Sequence, residues 1–196
     1  DEPVVFGVRR PLASWNPFWA NLQVYDYLLF DARHAKRWRD KLGIWFRKTG
    51  WRPADVEARH PKQNVDFDAF QKFDPVVAVE LKRYTTAQFA IAIAATLWIS
   101  QLYMEQGGLA VLAPCVALWL QLASLGMLNE GRSWAPNFEA LRLVGLPPLL
   151  LVFHVSVQPL STLAWAGAAF YILASLEWVF RAVRANKLAL KTMINN

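Results

Sequence analysis

Polar and hydrophobic positions follow different rules in the two halves of this chain. Beyond residue 83, three stretches hold no Asp, Glu, Lys or Arg: 84–104, 106–129 and 143–176. A helix needs about 20 apolar residues to cross roughly 30 Å of hydrocarbon at ~1.5 Å per residue. The first two stretches fit one crossing each. The third is too long for one, and Pro159 near its middle predicts a turn around 158–162 between two crossings. The expected spans are therefore about 84–104, 108–128, 141–158 and 160–180. A core helix of a soluble protein normally keeps a polar face, and residues 85–104 and 109–128 show almost none. Pro147-Pro148 falls inside the third span and is expected to kink it or delay its start. A re-entrant or tilted segment is the alternative there.

Upstream, the apolar positions recur at helical spacing beside many charges. Asn16-Pro17 has the form of a helix start, a capping Asn followed by Pro at the first helical position. Phe18, Trp19, Leu22, Tyr25, Leu28 and Leu29 then repeat with a helical period, and Ala35, Trp38, Leu42, Trp45 and Phe46 make a second stripe. Lys36, Arg37, Arg39, Lys41, Arg47 and Lys48 fill much of the remaining turn, so a basic helix over 33–48 is expected. A tryptophan-rich apolar face beside a basic face fits a helix lying among the headgroups of an anionic membrane. It fits equally a helix packed on another domain. The membrane-interface candidates are Trp38, Arg39, Lys41, Trp45, Phe46 and Trp51. Pro53 should stop the helix, leaving 54–75 as a surface excursion with little regular structure.

Charge sharpens this picture. Residues 1–83 carry fifteen of the 21 Lys and Arg residues. With four crossings, all 21 fall on the side of residues 1–83, 129–142 and 181–196, and none falls on the other. The positive-inside rule puts that side, and both chain ends, in the cytoplasm. The fold class is all-α: a multi-pass helical membrane protein with a cytoplasmic, basic, Trp-rich interfacial region. Its parts are an interfacial region over 1–83, the spans within 84–181 and a tail over 182–196. The pI of about 9.7 needs no nucleic acid to explain it, because attraction to the cytoplasmic leaflet suffices. The chain opens on Asp1 with its earliest methionine at Met104, as expected of the processed or cut remainder of a longer one.

Candidate chemistry is sparse. The lone cysteine, Cys115, excludes a disulfide framework and Cys-based zinc sites. The three histidines, His34, His60 and His154, form no HExxH or HxxxH pair, and there is no phosphate-binding glycine loop, GxSxG elbow or dinucleotide fingerprint. His34 and His60 are read as surface residues. His154 sits within a predicted span, where an imidazole hydrogen-bonds a neighbouring helix or lines a polar path. Glu177 is placed to pair with Arg181 at i,i+4, and Glu130 is placed to pair with Arg132. No active site assembles from these.

A family resemblance does emerge. Arg37-Trp38-Arg39-Asp40-Lys41-Leu42, then Trp45-Phe46 and Gly50-Trp51-Arg52-Pro53-Ala54-Asp55, resemble the region after the last histidine box in the sterol desaturase/fatty acid hydroxylase superfamily, alkylglycerol monooxygenase-like branch. Upstream Glu2-Pro3-Val4-Val5-Phe6-Gly7 with Pro11, Ser14, Asn16 and Pro17 agrees in order. So do Gln71-Lys72-Phe73-Asp74-Pro75 and Leu128-Asn129-Glu130-Gly131-Arg132-Ser133-Trp134-Ala135.

The resemblance implies a membrane-bound non-haem di-iron oxidase acting on a lipid C–H bond, whose clustered histidines hold the metal. No histidine box occurs in this sequence. Accordingly no catalytic or metal residue is assigned, no cofactor is expected on this chain alone, and di-iron is expected of the full-length protein. The implied partners are the lipid bilayer, a lipid substrate, a missing N-terminal catalytic portion and an unidentified electron donor, in the bacterial inner membrane or endoplasmic reticulum. The alternative is a non-catalytic membrane-anchoring or subunit module without a metal site.

Overall fold

A computed structural model describes residues 12–61, 72–155 and 162–195. The described residues form seven helices and no strand: α1 (Pro17–His34), α2 (Trp38–Phe46), α3 (Ala54–Arg59), α4 (Val79–Gln106), α5 (Leu112–Asn129), α6 (Ala135–Val155) and α7 (Thr162–Asn195). They divide into two compact units, Phe18–Phe73 and Asp74–Asn196, the second including Ser14–Pro17. The motif residues 2–7, Pro11 and Gln71 lie outside the described residues, as do residues 158–161 of the expected turn.

In the first unit, Ala35, Ile44 and Val56 form a small core, against which Leu28, Ala32 and Trp51 pack. The expected basic helix over 33–48 is two helices, and hydrogen bonding explains the break. Arg59 Nη2 donates to the His34 carbonyl (2.6 Å), and the Lys36 N–H donates to Asp55 Oδ2 (3.0 Å). The carbonyl that ends α1 and the amide that follows it are thus both taken by α3. Asp55 and Arg59 also pair with each other (2.9 Å). The Lys36 N–H holds the Asp55 carboxyl below its ordinary value, and Arg59 adds to this against partial burial.

Residues 54–59 are therefore helical, contrary to the expected irregular excursion, whose residues 62–71 lie outside the described residues. Pro53, expected only as a stop, takes the N-cap position of α3. A turn closed by the Trp51 N–H on the Lys48 carbonyl (3.0 Å) reverses the chain before it. Gly50 has φ +84° there, in the left-handed region that side chains disfavour.

The second unit is a ring of four helices in which α4 packs on α5, α5 on α6, α6 on α7 and α7 on α4. Three of them are long and apolar enough to cross a membrane: α4, α5 and Thr162–Met193 of α7. The expected span over 141–158 does not qualify among the described residues, which reach only Val155 of it. Its helix, α6, begins at Ala135 rather than near 141, so its first two turns bring in Glu139 and Arg142. The double proline does not delay that start. Pro136 sits in the first turn, where a missing N–H costs nothing, and the helix runs on through Pro147 and Pro148. The tail expected over 182–196 continues α7 as helix to Asn195.

Candidate functional site

The buried polar side chains of the second unit gather towards one end of the ring, where α4 and α6 begin and α5 ends. Glu139 is fully buried at the centre. Arg142, one turn further along α6, meets it with two parallel hydrogen bonds, Nε to Oε2 and Nη2 to Oε1, each 2.7 Å. The Ser124 hydroxyl of α5 donates to Oε2 (2.7 Å), and the Tyr84 hydroxyl of α4 donates to Oε1. One carboxylate therefore accepts four hydrogen bonds from three helices, and Tyr84 also sets its ring edge-on to Trp178 of α7 at 5.6 Å.

One turn deeper lies a neutral layer centred on Gln88. Its amide donates to Ser175 Oγ (3.1 Å) and accepts from the Tyr171 hydroxyl (2.8 Å), while Gln121 Nε2 donates to its backbone carbonyl (2.8 Å). At the rim, the Ala78 N–H that precedes α4 donates to Asn186 Oδ1 of α7 (2.7 Å).

A second carboxylate hub lies in the loop between α5 and α6. Glu130 Oε1 accepts from the Ser14 hydroxyl (2.5 Å) and from the N–H groups of Trp15 (2.6 Å) and Asn16 (3.2 Å). Its Oε2 accepts from Arg132 Nε (2.6 Å). Burial opposes ionisation of Glu130, but the hydrogen bonds from Ser14, Arg132 and Trp15 outweigh it and hold the carboxyl below its ordinary value. The Trp15 carbonyl approaches α5 so closely that a Cβ on Gly126 would stand 2.5 Å from it. The main chain immediately before α1 is thus tied to the bundle by a carboxylate on one side and a bare glycine on the other.

In the first unit the corresponding polar centre is Arg52. It forks onto Asp31 through Nε and Nη2, both at 2.8 Å, and Nη1 reaches Glu57 (2.5 Å) and the His60 carbonyl (3.0 Å). Hydrogen bonding to Asp31, with Glu57 adding against the cost of burial, keeps the guanidinium protonated beyond its ordinary range. The fold brings His34 and His60, far apart in sequence, to a ring separation of 4.7 Å, both beside Phe30. Each is half-buried rather than a plain surface residue.

The interface candidates separate. Trp38, Trp45 and Phe46 are exposed on α2, with Arg39 exposed and Lys41 half-buried beside them. Trp51 instead packs on the core, with the Arg47 guanidinium 4.3 Å from its ring centre. Ala35, read as part of the same stripe, is buried there too.

Sequence reasoning named Glu130 with Arg132 and Glu177 with Arg181, and both pairs form, at 2.6 and 3.2 Å. It missed Glu139, Arg142, Tyr84 and Gln88. The available signal was an acid and a base at i,i+3 on the edge of an apolar segment, with Gln88 and Gln121 inside otherwise charge-free ones.

Every acceptor position on Glu139 is engaged, so its chemistry is that of a clamp, and another proton donor or a ligand would have to displace one of its partners. Among the described residues no group of three or more His, Cys, Asp or Glu stands close enough to hold a metal ion. His34 and His60 lack a third ligand, and the His34 Nδ1 lies 2.8 Å from the Phe30 carbonyl. The described residues do not fit a di-iron centre.

Alkylglycerol monooxygenase of Danio rerio is 24% identical to the chain over 186 residues, covering 93% of it. This is a distant homology to a lipid monooxygenase. The chain spans 41% of the length of that relative. No family model and no solved structure matches it. The three apolar helices support an integral membrane protein.

Proposed function

We propose that the chain is the carboxy-terminal, membrane-anchoring part of a di-iron lipid hydroxylase or desaturase of the sterol desaturase/fatty acid hydroxylase superfamily. On this reading the iron-binding histidines stand in sequence upstream of Asp1. The observation that carries it is the similarity to alkylglycerol monooxygenase running along nearly the whole chain. The helix ring keeps the protein in the bilayer, where a lipid substrate is dissolved. The two carboxylate hubs fix the helices, and the chain before α1, at one end of it. By the charge asymmetry that end is cytoplasmic, in a bacterial inner membrane or the endoplasmic reticulum.

The test is to translate the reading frame upstream of Asp1, express the whole protein, and assay oxygen-dependent consumption of an alkylglycerol and of a fatty acyl lipid. Clusters of the HxxxH or HxxHH type upstream, with iron bound by the whole protein and one lipid consumed, are the expected result. A reading frame without such clusters, or an iron-free protein inert towards both lipids, would leave a non-catalytic anchoring module instead.

A further inference from the structure

Helix α2 is inside-out by the standards of a soluble fold. Its one buried residue, Ile44 (6% exposed), anchors it to the core of the first unit. On the opposite side Trp38, Leu42, Trp45 and Phe46 are 77%, 59%, 41% and 87% exposed. At 100° per residue these four fall within an arc of about 100°. Arg39 and Lys41 flank that arc, and the Lys41 Nζ stands 5.4 Å from the Trp38 ring centre. Residues 37–48 hold five basic residues and one acid, Asp40, which the same spacing places away from the arc. Helix α1 also exposes Trp19, Leu22 and Tyr25, but without flanking cations.

We propose that the exposed face of α2 docks in the headgroup layer of an anionic membrane, with Trp38, Leu42, Trp45 and Phe46 inserted and Arg39 and Lys41 on the lipid phosphates. Three observations favour lipid over a protein partner. The aromatic side chains stand on the side of α2 away from Ile44, which seats the helix on the core and leaves them uncovered. The cations edge the apolar arc instead of opposing it, which lets long side chains reach headgroups at the depth where tryptophan rings settle. In sequence, the first helix long and apolar enough to span, α4, begins a few residues after the first unit ends. Docking of this kind does not depend on the lipid-oxidising reading.

The test uses the whole chain in nanodiscs, with Cys115→Ala removing the native thiol and a spin label at Phe46→Cys or, as a control on exposed α3, at Ala58→Cys. In discs rich in phosphatidylglycerol the label at 46 should be relaxed by oxygen and shielded from a water-soluble nickel chelate, with the reverse at 58. Each basic residue at an anionic surface is expected to change the ratio of docked to undocked protein by about fivefold. Arg39→Gln and Lys41→Gln should each lower it by that factor, and purely zwitterionic discs or raised salt should shift it in the same direction. Unchanged label mobility at 58 shows that the unit is still folded in these variants. Equal nickel access at 46 and 58 in anionic discs would overturn the proposal. Shielding of 46 from both relaxants would also overturn it, because the face would then be covered by protein. Immersion that ignores lipid charge and both substitutions would overturn its electrostatic part.

Discussion

Glu139 and Tyr84 share a hydrogen bond but should respond very differently to substitution. Tyr84→Phe removes one of four donors to the carboxylate and leaves its charge paired. Hydrogen bonds between membrane helices contribute about 0.6 kcal/mol on average, so thermal unfolding in detergent or nanodiscs should shift little. Glu139→Gln leaves the Arg142 guanidinium buried without a counter-charge, and loss of one partner of a buried pair costs about 3–5 kcal/mol. A comparable loss in both variants would show that the pair is solvated after all. Glu130 gives a pH test. Its folded pKa is depressed, so its ionised form stabilises the fold above the ordinary glutamate range, and that contribution is lost as pH falls through the folded value. The stability gap between the natural chain and Glu130→Gln should be widest at neutral pH and close in acid. A constant gap would mean that the carboxyl stays charged or contributes nothing through its charge.

At the scale of elements, legibility followed local physics. The Asn16-Pro17 start, the charge-free runs that became α4 and α5, and the all-helical class depend on neighbours in sequence, and could be read there. The break between α1 and α2 could not, because its cause lies about twenty residues downstream in Asp55 and Arg59, where the helical period gives no warning. The start of α6 was misplaced for a related reason. A charge count treats Glu139 and Arg142 as two penalties, whereas one turn of helix lets them neutralise each other. Trp51 and Ala35 were drawn to the interface by apolarity, which does not reveal whether the face it marks is covered. The break offers its own experiment. Asp55→Ala removes the acceptor of the Lys36 amide, and a hydrogen bond to a charged group contributes about 1.5–3 kcal/mol. Amide exchange at Lys36 should then accelerate roughly tenfold or more, read by mass spectrometry or NMR, while the Ile44 amide within α2 changes less. Unaltered exchange at Lys36 would mean that something other than Asp55 ends α1.

For the whole molecule, α6 decides the number of crossings. With four crossings, the turn after α4 and the distal part of α7 lie on opposite faces of the membrane. With α6 re-entrant they lie on the same face. Single cysteines at Gln106 and Lys191 in the Cys115→Ala background, probed with an impermeant thiol reagent on sealed vesicles, should label from opposite sides. Labelling from the same side would return α6 as a helix that enters and leaves by one face. The polar layers at one end of the ring were not legible from the sequence. They depend on four helices meeting, and each donor alone looks like an isolated defect in an apolar run.

That convergence has a consequence for biogenesis. A helix carrying an acid and a base is poorly received by lipid on its own even when the two pair, and Glu139 acquires its full set of donors only when Tyr84 and Ser124 are already in place. Helices α4 and α5 precede it from the ribosome and can wait in the bilayer as a half-built receptor. Packing of α6 into the bundle then depends on its recognition by its neighbours, and a chain made with Tyr84 and Ser124 both replaced by apolar residues should stall with α6 exposed to quality-control proteases.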